Sequence, residues 1–200
     1  MLKTRLPTKK NNRSLCEISI LAGGSSSRMG RNKASLRLGG RTLLGHARAG
    51  ARGSGLPHRV IRGDLVPRCG PLGGVYTALA TSQAEIILFL SCDMPFISGE
   101  LLKTLLRRFN PRKKALFVKQ SGRVGFPFLL RREALVEVEQ QLARKQFSLQ
   151  KLAKSLQAQS LRLPPDRARE LFNVNTPDDW KIARDRWRSQ RATRKKMRSF

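Results

Sequence analysis

Apolar runs and polar breaks alternate along this chain in a way that predicts strands and helices in turn. Ile18-Ser19-Ile20-Leu21 reads as a buried strand that stops at a glycine-rich turn. The clearest buried strand is Glu85 to Ser91, which ends at Cys92-Asp93-Met94-Pro95. Val60-Ile61, Lys114 to Lys119 and Gly125 to Leu130 read as further strands, and Leu36-Arg37-Leu38 as a short extended piece turning at Gly39-Gly40. Thr42 is a cap for a helix toward Arg52, broken by Gly53-Ser54-Gly55 and Pro57, and a second helix spans Leu72 to Ser82. Ser98 caps a third, with Leu101, Leu102, Leu105 and Leu106 on one face up to Phe109. Arg132 to Ala143 is helical, and Ser148 caps a helix through Leu156. A last helix starts at Thr176-Pro177-Asp178-Asp179, with Thr176 as cap, proline first and acids in the first turn. The alternation predicts one α/β sheet with helices on both faces and no strong interior boundary.

Two hundred residues with 40% apolar content suffice for one full-sized domain. The longest clean apolar run, Ile86 to Leu90, is far short of the roughly 20 residues of a bilayer span, so no membrane segment is expected. Residues 1–14 read as a flexible basic leader without an apolar signal region, 15–182 as the domain, and 183–200 as a basic C-terminal extension. Cys16, Cys69 and Cys92 are too few and too scattered for a disulfide framework or a zinc spacing, which fits a reducing cytoplasm.

The net charge is +28, of which the two basic ends carry only part, leaving +15 on residues 15–180. Such a field attracts nucleotides, phosphorylated cofactors or nucleic acid. Against nucleic acid, the tail from Arg184 to Arg198 interleaves only Trp187 as an aromatic, and no nucleic-acid motif is visible.

The candidate chemistry lies first in Leu21 to Lys33, directly after a strand, where open α/β folds bind ligands. Gly23 and Gly24 let backbone N–H groups approach phosphate oxygens, and Arg28 and Lys33 add fixed positive charge. Lys33 follows Gly30 by three positions, so the segment is not a P-loop, and it is not a dinucleotide fingerprint. Asp93, at the end of a very apolar strand, suits magnesium (Mg2+), which takes one or two carboxylates plus phosphate oxygens and waters. His46 and His58 have no catalytic setting and read as solvated or core residues.

Leu21-Ala22-Gly23-Gly24, then Ser26-Ser27-Arg28-Met29-Gly30 and Lys33-Ala34, resembles the signature loop of the molybdenum cofactor guanylyltransferases. Gly70-Pro71-Leu72-Gly73-Gly74 is similar to that family's Gly-Pro-Leu turn, Cys92-Asp93-Met94-Pro95 to its metal segment, and Asn173-Val174-Asn175-Thr176-Pro177 to its C-terminal motif. The four stand in family order across residues 17 to 180. The resemblance implies a three-layer α/β/α Rossmann-like nucleotidyltransferase domain with a mostly parallel sheet. It also implies transfer of GMP from GTP to the phosphate of molybdopterin, releasing pyrophosphate, with Arg28, Lys33 and Asp93 as catalytic residues and Mg2+ on Asp93. Leu21, Ala22, Gly23, Gly24, Lys33, Gly70, Pro71, Leu72 and Asp93 would bind nucleotide, and Asn173 and Asn175 would lie on the pterin side. Alignment on Gly70 puts Gly63 where the family has a nucleotide-contacting Asp, so Asp64 carries over one position out of place. Asn175 before Thr-Pro-Asp is typical of the guanylyl branch, whereas cytidylyl enzymes favour Asp. A recipient molybdoenzyme or another cofactor-biosynthesis protein is an implied partner.

One departure bears on the base. Between Gly40 and Gly70 the chain is shorter than typical members, and Gly53 to Pro57 stands where a longer helix end, a full strand and an Asn-bearing loop are expected. That loop helps hold the base or ribose in the family. A related transferase using CTP or another phosphorylated acceptor, and an inactive basic nucleic-acid-binding derivative, are the competing readings.

Overall fold

Strand β5 (Ile86–Ser91) is apolar at almost every position because it lies inside the sheet with helices over both faces. In the computed structural model, which describes residues 15–23 and 33–197, its side chains alternate between two cores. Ile86, Leu88 and Leu90 face one, and Ile87 and Phe89 the other. The other elements are β1 (Cys16–Leu21), the small hairpin β2 (Arg37–Leu38) and β3 (Arg41–Thr42), α1 (Leu43–Gly53), β4 (His58–Ile61), α2 (Pro71–Thr81) and α3 (Gly99–Arg108). Then follow β6 (Ala115–Gln120), β7 (Arg123–Arg131), α4 (Leu135–Ala143), α5 (Leu149–Ser155), β8 (Gln159–Leu161), α6 (Pro165–Ala168) and α7 (Pro177–Met197). No described helix is long and apolar enough to cross a membrane.

The main sheet has the order β4-β1-β5-β7-β6-β8. β1 runs parallel to β4 and β5, β6 parallel to β8, and β7 alone runs against its neighbours. Helices α1 and α3 cover one face through Leu44, Ala47, Leu101, Leu102 and Leu105. Helices α2, α4 and α5 cover the other through Leu72, Val75, Leu79, Val138 and Leu152. This is the three-layer, mostly parallel α/β/α architecture expected from the sequence.

Thr42 and Ser98 cap α1 and α3, their hydroxyls accepting from Gly45 N–H at 2.9 Å and Leu101 N–H at 3.1 Å. Ser148 occupies the cap position of α5, but its side chain accepts no hydrogen bond there. Residues 132–134 form a 3-10 turn before α4 rather than its first helical turn. The pattern did not reveal β8 or α6, because a three-residue strand and a four-residue helix are too short for a period to show. α7 continues without a break through position 183, and Ala183 is buried with Leu38, Leu43 and Val174. The proposed leader, 1–14, lies outside the described residues.

The start of α7 is a reciprocal cap. Thr176 Oγ1 accepts from Asp179 N–H at 3.1 Å, while Asp179 Oδ2 accepts from the N–H groups of Asn175 and Thr176, each at 2.9 Å. Burial raises the Asp179 pKa, but these hydrogen bonds outweigh it and hold the carboxyl below its ordinary value. A lowered carboxylate pKa gives stability that is present above the unfolded value of about 3.9 and lost as pH falls through the folded one. Asp179→Ala is therefore expected to destabilise the protein by about 1 kcal/mol at neutral pH. The difference should vanish in thermal melts below the folded pKa; an equal deficit at both pH values would exclude the charged cap.

Candidate active site

The ends of β1, β4 and β5 and the start of α2 surround a cleft of about 570 Å³. After β1 the chain continues extended: Ala22 N–H donates to Ile61 O at 2.8 Å, and Cys92 N–H donates to Leu21 O at 3.1 Å. These two bonds hold Leu21, Ala22 and Gly23 between the ends of β4 and β5. A Cβ on Gly23 would lie 2.8 Å from Arg62 O, so a larger residue would push the two loops apart. Gly70 is the N-cap of α2, with Pro71 in the first turn and no side-chain cap, and both line the cleft. That leaves the first-turn N–H of Gly73 without a side-chain cap at the cleft end of the helix. The Asp64 carboxylate lies against this turn, since a Cβ on Gly73 would meet its Oδ2 at 2.8 Å.

Asp93, just beyond β5, is half-buried, and its backbone carbonyl accepts from Val174 N–H at 2.9 Å. That bond brings the Asn173–Asn175 segment beside the cleft. Burial pushes the Asp93 carboxyl up, opposed by a hydrogen bond from Ser91 and the positive charge of Lys33. Lys33 Nζ donates to Asn175 Oδ1 at 2.9 Å, tying the end of the glycine-rich loop to the segment before α7. Burial, with Asp93 beside it, raises the Cys92 thiol to about 11, so it stays protonated and unreactive near neutral pH. Burial also raises Asp64.

Among the described residues, no cluster of three or more His, Cys, Asp or Glu could enclose a metal alone. Asp93 instead suits a hard cation that takes one protein carboxylate and completes its shell with phosphate oxygens and water. The shell of such a cation would depend on the ligand.

Leu21, Ala22, Gly23, Lys33, Asp64, Gly70, Pro71 and Asp93 all line this cleft. Leu72 does not: its side chain is fully buried in the core, and its N–H donates to Cys69 O at 3.2 Å. It shapes the turn rather than facing a ligand. Asn173 and Asn175 stand beside the cleft rather than in its wall, and the Asn173 Oδ1 is buried without a hydrogen-bond partner among the described residues. Gly24 and Arg28 lie outside the described residues. His46 is a core residue, its Nε2 2.8 Å from Leu38 O, and His58 lies on β4 away from the cleft wall.

Sequence reasoning missed Arg62, Arg68, Ser91 and Phe126 in the wall. Phe126 reaches it where the β6–β7 register shifts, after Phe117, a displacement of pairing with no period to announce it. Trp187 is packed inward, its ring edge-on to His46 at 4.7 Å, and Trp180 is half-buried in the same cluster. Both also line a surface groove with Arg37, Arg184 and Arg188.

Residues 18–64 and 55–161 match the family model of the MobA-like NTP transferase domain. The two stretches overlap at residues 55–64, which include β4. The chain is 36% identical over 175 residues to the molybdenum cofactor guanylyltransferase of Xanthomonas euvesicatoria pathovar vesicatoria, covering 80% of this chain and 90% of that one. Its fold matches the molybdopterin-guanine dinucleotide biosynthesis protein A of Archaeoglobus fulgidus with a TM-score of 0.68, at 21% identity over 84% of this chain and 97% of that one. It also matches a Mycobacterium tuberculosis protein solved in complex with manganese, with a TM-score of 0.59, at 19% identity over 86% and 99%. With its motifs gathered on one cleft and the family pattern running through most of its length, the chain belongs to the MobA-like NTP transferase family and is a nucleotidyltransferase.

Proposed function

We propose that the protein transfers GMP from GTP to the phosphate of molybdopterin and releases pyrophosphate. The observation that carries this reading is the convergence of Gly23, Lys33, Asp64, Gly70 and Asp93 on one cleft, with Asn173–Asn175 beside it. The acceptor's terminal phosphate attacks the α-phosphorus in line; a P–O bond forms to the acceptor as the bond to the β-phosphate oxygen breaks. A phosphate monoester is already largely ionised at neutral pH, with a second pKa of about 6, so no general base is required. Leu21, Ala22, Gly23 and Gly24 present backbone to the nucleotide, while Arg28 and Lys33 hold negative charge on the departing pyrophosphate. Asp64 contacts the nucleoside, Gly70 and Pro71 form the phosphate-facing end of α2, and Asn173 and Asn175 face the acceptor. Asp93 would hold Mg2+, which when bound would neutralise charge building on the phosphate oxygens. Lys33 joins the two substrate sides, because its partner Asn175 lies on the acceptor side.

The three free cysteines fit a reaction carried out in the cytoplasm, and a receiving molybdoenzyme or cofactor-biosynthesis protein is the partner this product requires. Pyrophosphate release measured with GTP, CTP, ATP and UTP, each with and without molybdopterin and Mg2+, tests the assignment. Release is expected with GTP only when both molybdopterin and the metal are present. Preference for CTP, or turnover indifferent to molybdopterin, would overturn it.

A further inference from the structure

We propose that the groove between the β2–β3 hairpin and α7 docks an acidic segment of a partner protein, with its carboxylates on Arg37, Arg184 and Arg188 and an apolar side chain over the tryptophans. The groove measures about 390 Å³ and shares no described lining residue with the cleft. Trp180, Arg184 and Trp187 recur at helical spacing and so line one face of α7, with Arg188 one turn beyond Arg184. Arg37 and buried Leu38 meet them from β2. The shape is set by the packing beneath. Trp187 rests edge-on against His46, and Gly39, at a φ of +62°, turns the hairpin directly against the indole, where a Cβ would collide with the ring.

The guanidiniums around this apolar floor are poorly compensated. Arg184 is exposed and has no ion pair among the described residues. Arg188 reaches Asp185 at 3.5 Å, but both side chains are exposed, so the pair contributes little. Arg37 directs one donor to Gly40 O at 3.0 Å. Tryptophan and arginine are the residue types that carry most binding energy at protein–protein interfaces. Nucleic acid fits less well: a single strand takes a groove that tracks about four or more nucleotides, whereas this one has room for a few side chains. Position favours a protein too. The Lys33–Asn175 hydrogen bond ties two segments, and the groove's walls are their continuations, since Lys33 leads into β2 and Asn175 into α7. A partner seated there stands next to the acceptor side of the function proposed above, on which this part of the inference rests. A protein that delivers the acceptor or takes the product would approach from that side.

Both of the chain's tryptophans line the groove, so intrinsic tryptophan emission reports binding there. The test titrates the wild type, Arg184→Glu/Arg188→Glu and the control Arg112→Glu/Lys151→Glu with the peptides Glu-Glu-Leu-Glu-Glu and Glu-Glu-Gly-Glu-Glu and with oligouridylate. The control reverses two exposed charges elsewhere and so matches the groove variant in net charge. The wild type should bind the leucine peptide ~10-fold more tightly than the glycine peptide, the effect of burying a leucine side chain. The groove variant should bind the leucine peptide ~10-fold or more weakly, while the control loses under ~3-fold. No emission change with the leucine peptide, or equal losses in the two variants, would overturn the proposal. Tighter oligouridylate binding that only the groove variant loses would make this a nucleic-acid surface instead. Both variants should release pyrophosphate from GTP and free molybdopterin at the wild-type rate, and a rate lost in the groove variant alone would overturn the separate docking role. A wild type that fails in that reaction would overturn the transfer reading and leave the peptide result standing.

Discussion

Asp93→Ala is expected to lower nucleotidyl transfer ~10³-fold while leaving the fold intact, the largest effect on activity at any single position. The carboxylate stands directly after β5, whose register with β1 places it beside Leu21 and Ser91, and the Val174 hydrogen bond secures its backbone. Its proposed role is to hold cationic charge where the phosphates react, and alanine cannot do so. Asn at 93 keeps the size but not the charge, so Asp93→Asn should fall nearly as far in single-turnover pyrophosphate release. Retained metal-dependent turnover in either variant would sink the role.

The same residue should act in the opposite direction on stability. Burial raises the Asp93 pKa, so the folded chain holds this proton more tightly than the unfolded chain. Its contribution favours folding below the unfolded value of about 3.9 and is lost as pH rises through the folded value. At neutral pH the ionised group therefore works against the metal-free fold. Asp93→Asn should melt higher than the wild type at pH 7 without nucleotide or metal, with the gap closing toward pH 4. A lower melting temperature for Asp93→Asn at pH 7 would contradict this account.

Phe128→Ala should have the largest effect on stability, about 3–5 kcal/mol. Phe128 is fully buried and stacks on Phe89 at 4.8 Å and Phe117 at 4.6 Å, with Phe126 tilted against it at 5.0 Å. It thereby joins three neighbouring strands on the α2 side of the sheet. For a domain of this size the loss corresponds to a fall in Tm of ~6–20 °C, readable by calorimetry. Because Phe126 also lines the cleft, GTP affinity should weaken in the same variant. Phe128→Leu, which refills most of the space, should recover much of the stability. A fall below about 2 °C for Phe128→Ala would show that the stack is not what holds these strands together.

Local features of the sequence were enough for most of the architecture. β5 announced itself because five successive apolar residues, ended by a Pro-containing break and too few for a helix, suit a strand covered on both sides, and Thr42, Ser98 and Thr176 each mark a helix start through a side-chain oxygen near the first N–H groups. Leu72 shows where a motif by itself misleads. It belongs to the Gly-Pro-Leu turn, yet its position on the inner face of α2 sends it into the core. Phe126 and Arg68 show the reverse, since one depends on a register shift and the other on a turn conformation that residue type does not encode.

By itself, the sequence determined the α/β class, the strand and helix order, and the four motifs that identify the family. All are short-range signals, carried by residue spacing and by side chains acting on their own backbone. Only the tertiary structure decided which motif residues share a wall, that Lys33 bonds Asn175 across 142 positions, and that Asp64 lines the cleft despite its one-residue offset. Those outcomes depend on parallel pairing and helix packing between segments far apart in the chain, where distance is set by the whole core rather than by neighbouring residues.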